Sequence, residues 1–205
     1  RNLNPEKAVS QEYEDKRMWL LSKLNYLRHL VGLSKAEAAE EIITSFVDSG
    51  EKLVVFGHHH DVMDLMDNYL TKKGIIHVKV DGRTPTHQRQ GMVDQFQDND
   101  DCMVFLASTA MGMGVTLTAA SNALFVERQW TPGVEEQMED RIHRIGQDRG
   151  VFIHYMQVEN SIDVKMAKLV EHKREVLAEI LDGAKKRDRG ESVINELLGE
   201  LSKSN

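Results

Sequence analysis

Four short apolar runs, KLVVFG (52–57), IIHVKV (75–80), CMVFLA (102–107) and NALFVE (122–127), are separated by segments whose apolar residues recur at helical spacing. A strand–helix alternation of this kind strongly constrains a fold, because strands joined through helices pair in parallel by right-handed crossovers. The intervening helices are predicted at 60–73, with Val62, Met66 and Tyr69 facing inward, at 86–97 and at 133–145. VFIHYMQV (151–158) is a further strand, inside which His154 is expected to be a satisfied buried histidine. A long helix from Ser161 to Leu181 carries Ile162, Met166, Leu169, Leu177 and Ile180 and is expected to pack along the sheet. Its Lys165, Lys168, Lys173 and Arg174 read as a solvated face. Together these elements predict a three-layer α/β domain with a parallel sheet over 50–182.

Residues 1–49 read as a helical section. One helix from Pro5 to Val31 has Leu20, Leu24, Leu27 and Val31 on one stripe; a second, starting at the capping-box spacing of Ser34 and Glu37, runs to Asp48. Beyond the domain, 183–205 reads as a charged linker, GAKKRDRG (183–190), followed by a short amphipathic C-terminal helix, SVINELLGEL. The chain of 205 residues is long enough for one sizeable core with extra helices. Its first residue, Arg1, points to an excised fragment or a processed product.

Charge narrows the function. With 33 acidic against 26 basic residues and a net charge of −7, bulk attraction to nucleic acid is disfavoured, so any such contact must rest on placed residues. No apolar run approaches membrane-spanning length and no signal peptide opens the sequence, so no membrane partner is expected. The one cysteine, Cys102, excludes an internal disulfide, fits a reducing compartment, and reads as an inert core thiol.

Against this acidic background, QMEDRIHRIGQ (137–147) stands out. On a helix, Val134, Met138, Ile142 and Ile145 form one apolar stripe, and Gln137, Arg141 and Arg144 form a second along its edge. Glu135, Glu136, Glu139 and His143 point away. Arginines at the rim of a rigid element suit the binding of phosphate oxygens, since the guanidinium fork is planar and always charged. A structural alternative has Arg144 complementing the helix C-terminal dipole and pairing with Asp140.

The string QMEDRIHRIGQ resembles the sixth motif of Swi/Snf-type DNA-dependent ATPases, Q-A-x-D-R-x-H-R-I-G-Q. KLVVFGHHHDV resembles their fourth motif, VDGRTPTHQRQGMVDQFQ the segment after it, and STAMGMGVTLTAAS their fifth; ERQWTPG leads into the sixth. The resemblance covers 50–182 and implies the second RecA-like lobe of a two-lobe motor. W-x-P-G, E-D-R and the following IHY look most like the HARP-type annealing helicases. What it implies is an ATP site, with magnesium, whose phosphate cradle lies on an N-terminal RecA-like lobe of the same parent. Arg141 and Arg144 would be arginine fingers, with Gln137 helping to hold the interlobe site. The sequence contains no G-x-x-x-x-G-K-[ST] and no Walker B acidic pair, so the isolated chain is expected to hydrolyse little or no ATP. The implied partner is double-stranded or forked DNA, in the nucleus of a eukaryote or the cytoplasm and nucleoid of a bacterium.

By the same resemblance, Ser108 and Thr109 are phosphate-contact candidates, and Gly112 and Gly114 are backbone contacts to the nucleotide. Met111 and Met113 stand where the family is richer in glycine or alanine, and Thr116 where many relatives carry asparagine. Trp130, beside Pro132, suits either a hydrophobic plug or a DNA contact. His58, His59 and Arg83 are candidates for the DNA backbone, with solvated loop polarity as the alternative. The run His58, His59, His60, Asp61 holds possible zinc ligands, but adjacent residues converge poorly on one ion, and no metal is assigned. Two other functions stay open: a related lobe acting on RNA or single strands, and a non-catalytic binding module that kept the fold.

Overall fold

The computed structural model describes residues 5–108 and 114–181, with side chains placed for 15–108 and 114–177. The expected linker and terminal helix at 183–205 lie outside the described residues. No helix among those described is long and apolar enough to cross a membrane.

The predicted strands form a single parallel sheet. Strands β1 (Leu53–Gly57), β2 (His77–Val80), β3 (Val104–Ser108), β4 (Asn122–Phe125) and β5 (Phe152–Tyr155) stand in the order β2-β3-β1-β4-β5. β1 is central, with Leu53 paired to Val104 on one side and Asn122 on the other. Between the strands lie α2 (His60–Lys73), α3 (Thr86–Asp98) and α4 (Pro132–Glu139); α1 (Pro5–Asp48) precedes them and α5 (Ile162–Leu181) follows.

The period-two geometry of a strand sends alternate side chains to opposite faces. Val54, Phe56, Phe105, Ala107 and Phe125 join Val93 and Phe96 of α3 and Met138 of α4 on one face. Leu53, Val55, Val104, Leu106 and Leu124 meet Val62, Met63, Met66 and Leu70 of α2, with Ala39 and Ile43 of α1, on the other. Helices therefore cover both faces of the sheet, giving the three-layer RecA-like arrangement. Burial of each large apolar side chain is worth roughly 1.5–3 kcal/mol. Cys102 is buried, and burial raises its thiol pKa. α2 stops at Gly74, whose φ of 71° is the left-handed conformation that closes a helix.

Several expectations are corrected. The two N-terminal helices are one continuous α1. Ser34 does not cap a new helix: its hydroxyl donates to the Val31 carbonyl at 2.8 Å within the same one. Gly32 lies inside that helix because α1 comes very close to the sheet edge there; a Cβ would sit 2.7 Å from Glu127 Oε1 and 3.2 Å from Val62 Cγ2. Leu27 is exposed, although Leu20 and Leu24 are buried.

α5 packs against α1 and α4 rather than along the sheet. Its buried Asp163 pairs with buried Lys35 of α1 at 2.8 Å. Lys173 donates to the Trp130 carbonyl and Arg174 to Glu139, so these two belong to an interface and not to a solvated face; Leu177 is exposed. His154 is exposed, because β5 is an edge strand, and its ring meets the edge of Phe46.

Candidate nucleotide and nucleic-acid site

Thr131 in extended conformation precedes α4, and Pro132 occupies its first turn, where a missing N–H costs nothing. The helix ends at Glu139, six residues short of the expected end. In a continued helix the Arg141 carbonyl would accept from the amide of residue 145; here it accepts from Leu117 at 2.8 Å. Gly146, at φ 101°, then turns the chain. Gln137, Arg141 and Arg144 are therefore arrayed on a helix and the turn after it, not along one helical edge. Ile145 leaves the predicted apolar stripe and is fully exposed, while Met138 and Ile142 are buried. Glu135, expected to point outward, is wholly buried.

The turn borders a cleft of about 460 Å³ lined by Gly114, Val115, Gln137, Asp140, Arg141, His143 and Arg144. Arg144 Nη1 donates to the Gly114 carbonyl at 3.0 Å and to Thr116 Oγ1 at 2.9 Å. Arg141 is half-buried, and its Nη1 has no hydrogen-bond partner among the described residues. Burial, and then the neighbouring Arg144 charge, lower the Arg141 pKa from its ordinary value. Among the described residues neither guanidinium meets a carboxylate, although Asp140 lines the same cleft. Arg83, Arg128 and Arg174 all do. Two adjacent cations with N–H donors left unused among the described residues have the chemistry to receive an anion. A larger cleft of about 830 Å³ between α1 and α5 shares no residue with this one and is mostly apolar.

The segment 114–120 is bound along the turn by further contacts. Gln147 Nε2 donates to the carbonyls of Thr118 and Ala120 at 3.1 and 2.7 Å, and Arg149 Nη2 to that of Ala119 at 2.6 Å. Gln147 and Arg149 were not singled out by sequence; their partners are backbone carbonyls about thirty residues away, which no local pattern displays.

Because every strand is parallel, the residues following each strand collect on one edge of the sheet. His58 and His59 follow β1, Arg83 follows β2 and Ser108 ends β3. The geometry of each differs. His59 is held by Glu127, whose carboxylate pairs with its Nδ1 at 2.5 Å and accepts the amides of His58 and His59 at 2.8 and 2.9 Å. Burial, reinforced by the Arg28 charge and by His59, pushes the His58 imidazole down to about 4, so it is neutral at pH 7. Arg83 donates two hydrogen bonds to Asp64, at 3.0 and 2.6 Å, and others to Asp81. Those bonds, to Asp64 first, raise its pKa further. Ser108 is buried, and Gly114 is exposed beside Arg144. Thr109 and Gly112, with Met111 and Met113, lie outside the described residues.

Trp130 is half-buried against Leu24, Ile162 and Met166, between α1 and α5, with the Arg28 guanidinium 5.1 Å from its ring centre. The residues before it form a buried polar knot that sequence reading missed. Arg128 makes a bidentate pair with Glu135 at 3.1 and 2.8 Å and reaches Glu171 of α5 at 2.9 Å. Arg28 Nη2 donates to the Arg128 carbonyl at 2.7 Å. The only local hint was a charged run, ERQ, directly after a buried strand.

Comparison with known proteins places this geometry. Residues 34–146 match the helicase conserved C-terminal domain. The chain is 36% identical over 156 residues to the SWI/SNF-related matrix-associated actin-dependent regulator of chromatin subfamily A-like protein 1 homolog of Caenorhabditis elegans, covering 74% of this chain and 23% of that protein. It is 31% identical over 157 residues to the chromatin-remodeling ATPase INO80 of Saccharomyces cerevisiae, covering 76% of this chain and 10% of that protein. The chain thus spans less than a quarter of the length of either relative. In fold it resembles the Sulfolobus solfataricus SWI2/SNF2 ATPase core, solved with double-stranded DNA, at a TM-score of 0.67 and 24% identity, covering 89% of this chain and 45% of that one.

Proposed function

Since the chain belongs to the helicase C-terminal domain family, in its Swi/Snf-type branch, we propose that it is the C-terminal motor lobe of an ATP-dependent double-stranded DNA translocase. It supplies arginine fingers and DNA-backbone contacts, and an N-terminal RecA-like lobe of the same parent supplies the phosphate cradle. The observation that carries this reading is the pair Arg141 and Arg144 on one cleft, neither neutralised by a carboxylate among the described residues. Uncompensated guanidinium groups are costly to hold together unless an anion joins them, and polyphosphate is an anion of the right geometry.

ATP, with its magnesium ion, brings the transferring phosphoryl group. This chain's part is to present Arg141 and Arg144 to the phosphate oxygens when the lobes close, with Gln137 at the rim and the Gly114 backbone alongside; Gly112 is assigned to the nucleotide from its motif. The isolated lobe turns over little or no ATP. Ser108, Thr109, His58, His59, Arg83 and Trp130 are the residues assigned to the DNA track. Arg83 would exchange part of its Asp64 pairing for a phosphate, and the neutral His58 would act as a hydrogen-bonding group rather than a charge. With one lobe gripping the backbone while the other releases, each closure advances the pair. Contacts of this type are independent of sequence and weaken with salt. The motor body is assigned to 50–182, with α1 packed upon it. The W-x-P-G, E-D-R and IHY residues support the finer assignment to an annealing motor acting on forked DNA.

The test is ATP turnover by the full-length parent with duplex DNA, with RNA and without nucleic acid. A translocase is stimulated by duplex DNA and not by RNA. Equal stimulation by RNA would assign the lobe to an RNA motor, and absence of turnover under all three conditions would make it a binding module.

A further inference from the structure

Arg144 is an exposed arginine, yet one of its nitrogens is fixed. Both N–H groups of Nη1 are engaged, one by the Gly114 carbonyl at 3.0 Å and the other by Thr116 Oγ1 at 2.9 Å. Nε and Nη2 carry no partner among the described residues, and these two form the side edge of the guanidinium that binds paired oxygens. Arg128 uses that same edge on Glu135.

The Thr116 hydroxyl is itself a fixed acceptor. Val115 and Leu117 on either side are buried. The Leu117 amide is tied to the Arg141 carbonyl at 2.8 Å, and a β-branched side chain has little freedom at χ1. We propose that Thr116 is a positioning residue for Arg144: its hydroxyl selects the rotamer that turns the Nε–Nη2 edge towards the phosphate. The proposal rests on the arginine-finger assignment above. Chemically it requires an oxygen at this position and no particular bulk. Serine should therefore serve, and valine, with the same shape and no acceptor, should not.

The experiment measures duplex-DNA-stimulated ATP hydrolysis in the full-length parent as a function of ATP concentration, for wild type, Thr116→Val, Thr116→Ala, Thr116→Ser and Arg144→Ala. Thermal unfolding of each reports folding, and Thr116→Ala repeats the deletion with a smaller side chain should valine perturb packing. A hydrogen bond to a charged group lost from the transition state lowers kcat about tenfold for Thr116→Val and Thr116→Ala. KM for ATP stays within about twofold, and Thr116→Ser stays within about threefold of wild type. Adding Thr116→Val to Arg144→Ala causes no further loss, because the two act through one group. Wild-type kcat in Thr116→Val beside a disabled Arg144→Ala overturns the positioning role and leaves the finger assignment standing. Equal losses in the serine and valine variants overturn it as well, since the hydroxyl would then not be the active element. Unchanged turnover in Arg144→Ala removes the assignment on which the proposal depends.

Discussion

The Leu117 amide donates to the Arg141 carbonyl at 2.8 Å, so the backbone that carries the two cleft arginines is joined directly to the segment that follows β3. The bond lies in the turn just after α4, between the buried Leu117 and the first of the two cleft arginines. Gln147 and Arg149 extend the join along 118–120.

Gln147 should therefore matter for stability. Gln147→Ala removes two donated hydrogen bonds and leaves the carbonyls of Thr118 and Ala120 short of partners, at a cost of about 1–2 kcal/mol. For a chain of this size that is a fall of roughly 2–8 °C in Tm, read by differential scanning calorimetry. An unchanged Tm would mean that water replaces the amide freely.

The buried pair of Arg128 and Glu135 makes a sharper case. Their side chains are 3% and 0% exposed, so removing either leaves a buried charge with only its second partner, Glu171 for Arg128 and Arg174 for Glu135. Glu135→Ala and Arg128→Ala should each destabilise the fold by about 3–5 kcal/mol, measured by urea unfolding. The double variant should lose clearly less than the sum of the two, because neither of the two buried charges remains. Strict additivity would show that the pair is not coupled.

How far these features were legible in the sequence depends on their range. Runs such as KLVVFG and NALFVE revealed strands because both faces of a central strand are buried, and a continuous apolar run is the trace that leaves. Local punctuation misled where a tertiary contact overrode it. Ser34 and Glu37 have capping spacing, yet Ala39 and Ile43 anchor the same helix in the core and carry it through. The arginine pair was visible from its motif, whereas the end of α4 at Glu139 was not, since the turn after it is bonded to an amide more than twenty residues earlier. The Glu127 clamp on His59 and the Lys35–Asp163 bridge were equally hidden, because contacts across 68 and 128 positions leave no periodicity.

His58 predicts a pH dependence. Its folded value, about 4, lies below the ordinary 6.5, so between those limits the unfolded chain binds more protons than the native one. The stability it contributes is fully present above about pH 6.5 and is lost as pH falls towards about 4. Arg28, His59, His60 and Glu127 act on the same imidazole, so the comparison must be with a variant at this position. Chemical unfolding at pH 7 and pH 5 should show wild type losing more stability on acidification than His58→Gln. Equal losses would mean that this imidazole titrates normally.

The central claim, that the cleft arginines serve a transferring phosphate, is tested most directly by ATP hydrolysis in the full-length parent with saturating duplex DNA, comparing wild type with Arg144→Ala. The finger role predicts a fall in turnover of about 10³-fold or more, with folding and ATP binding retained. Turnover equal to wild type would contradict it and leave Arg144 as a structural residue holding Gly114 and Thr116.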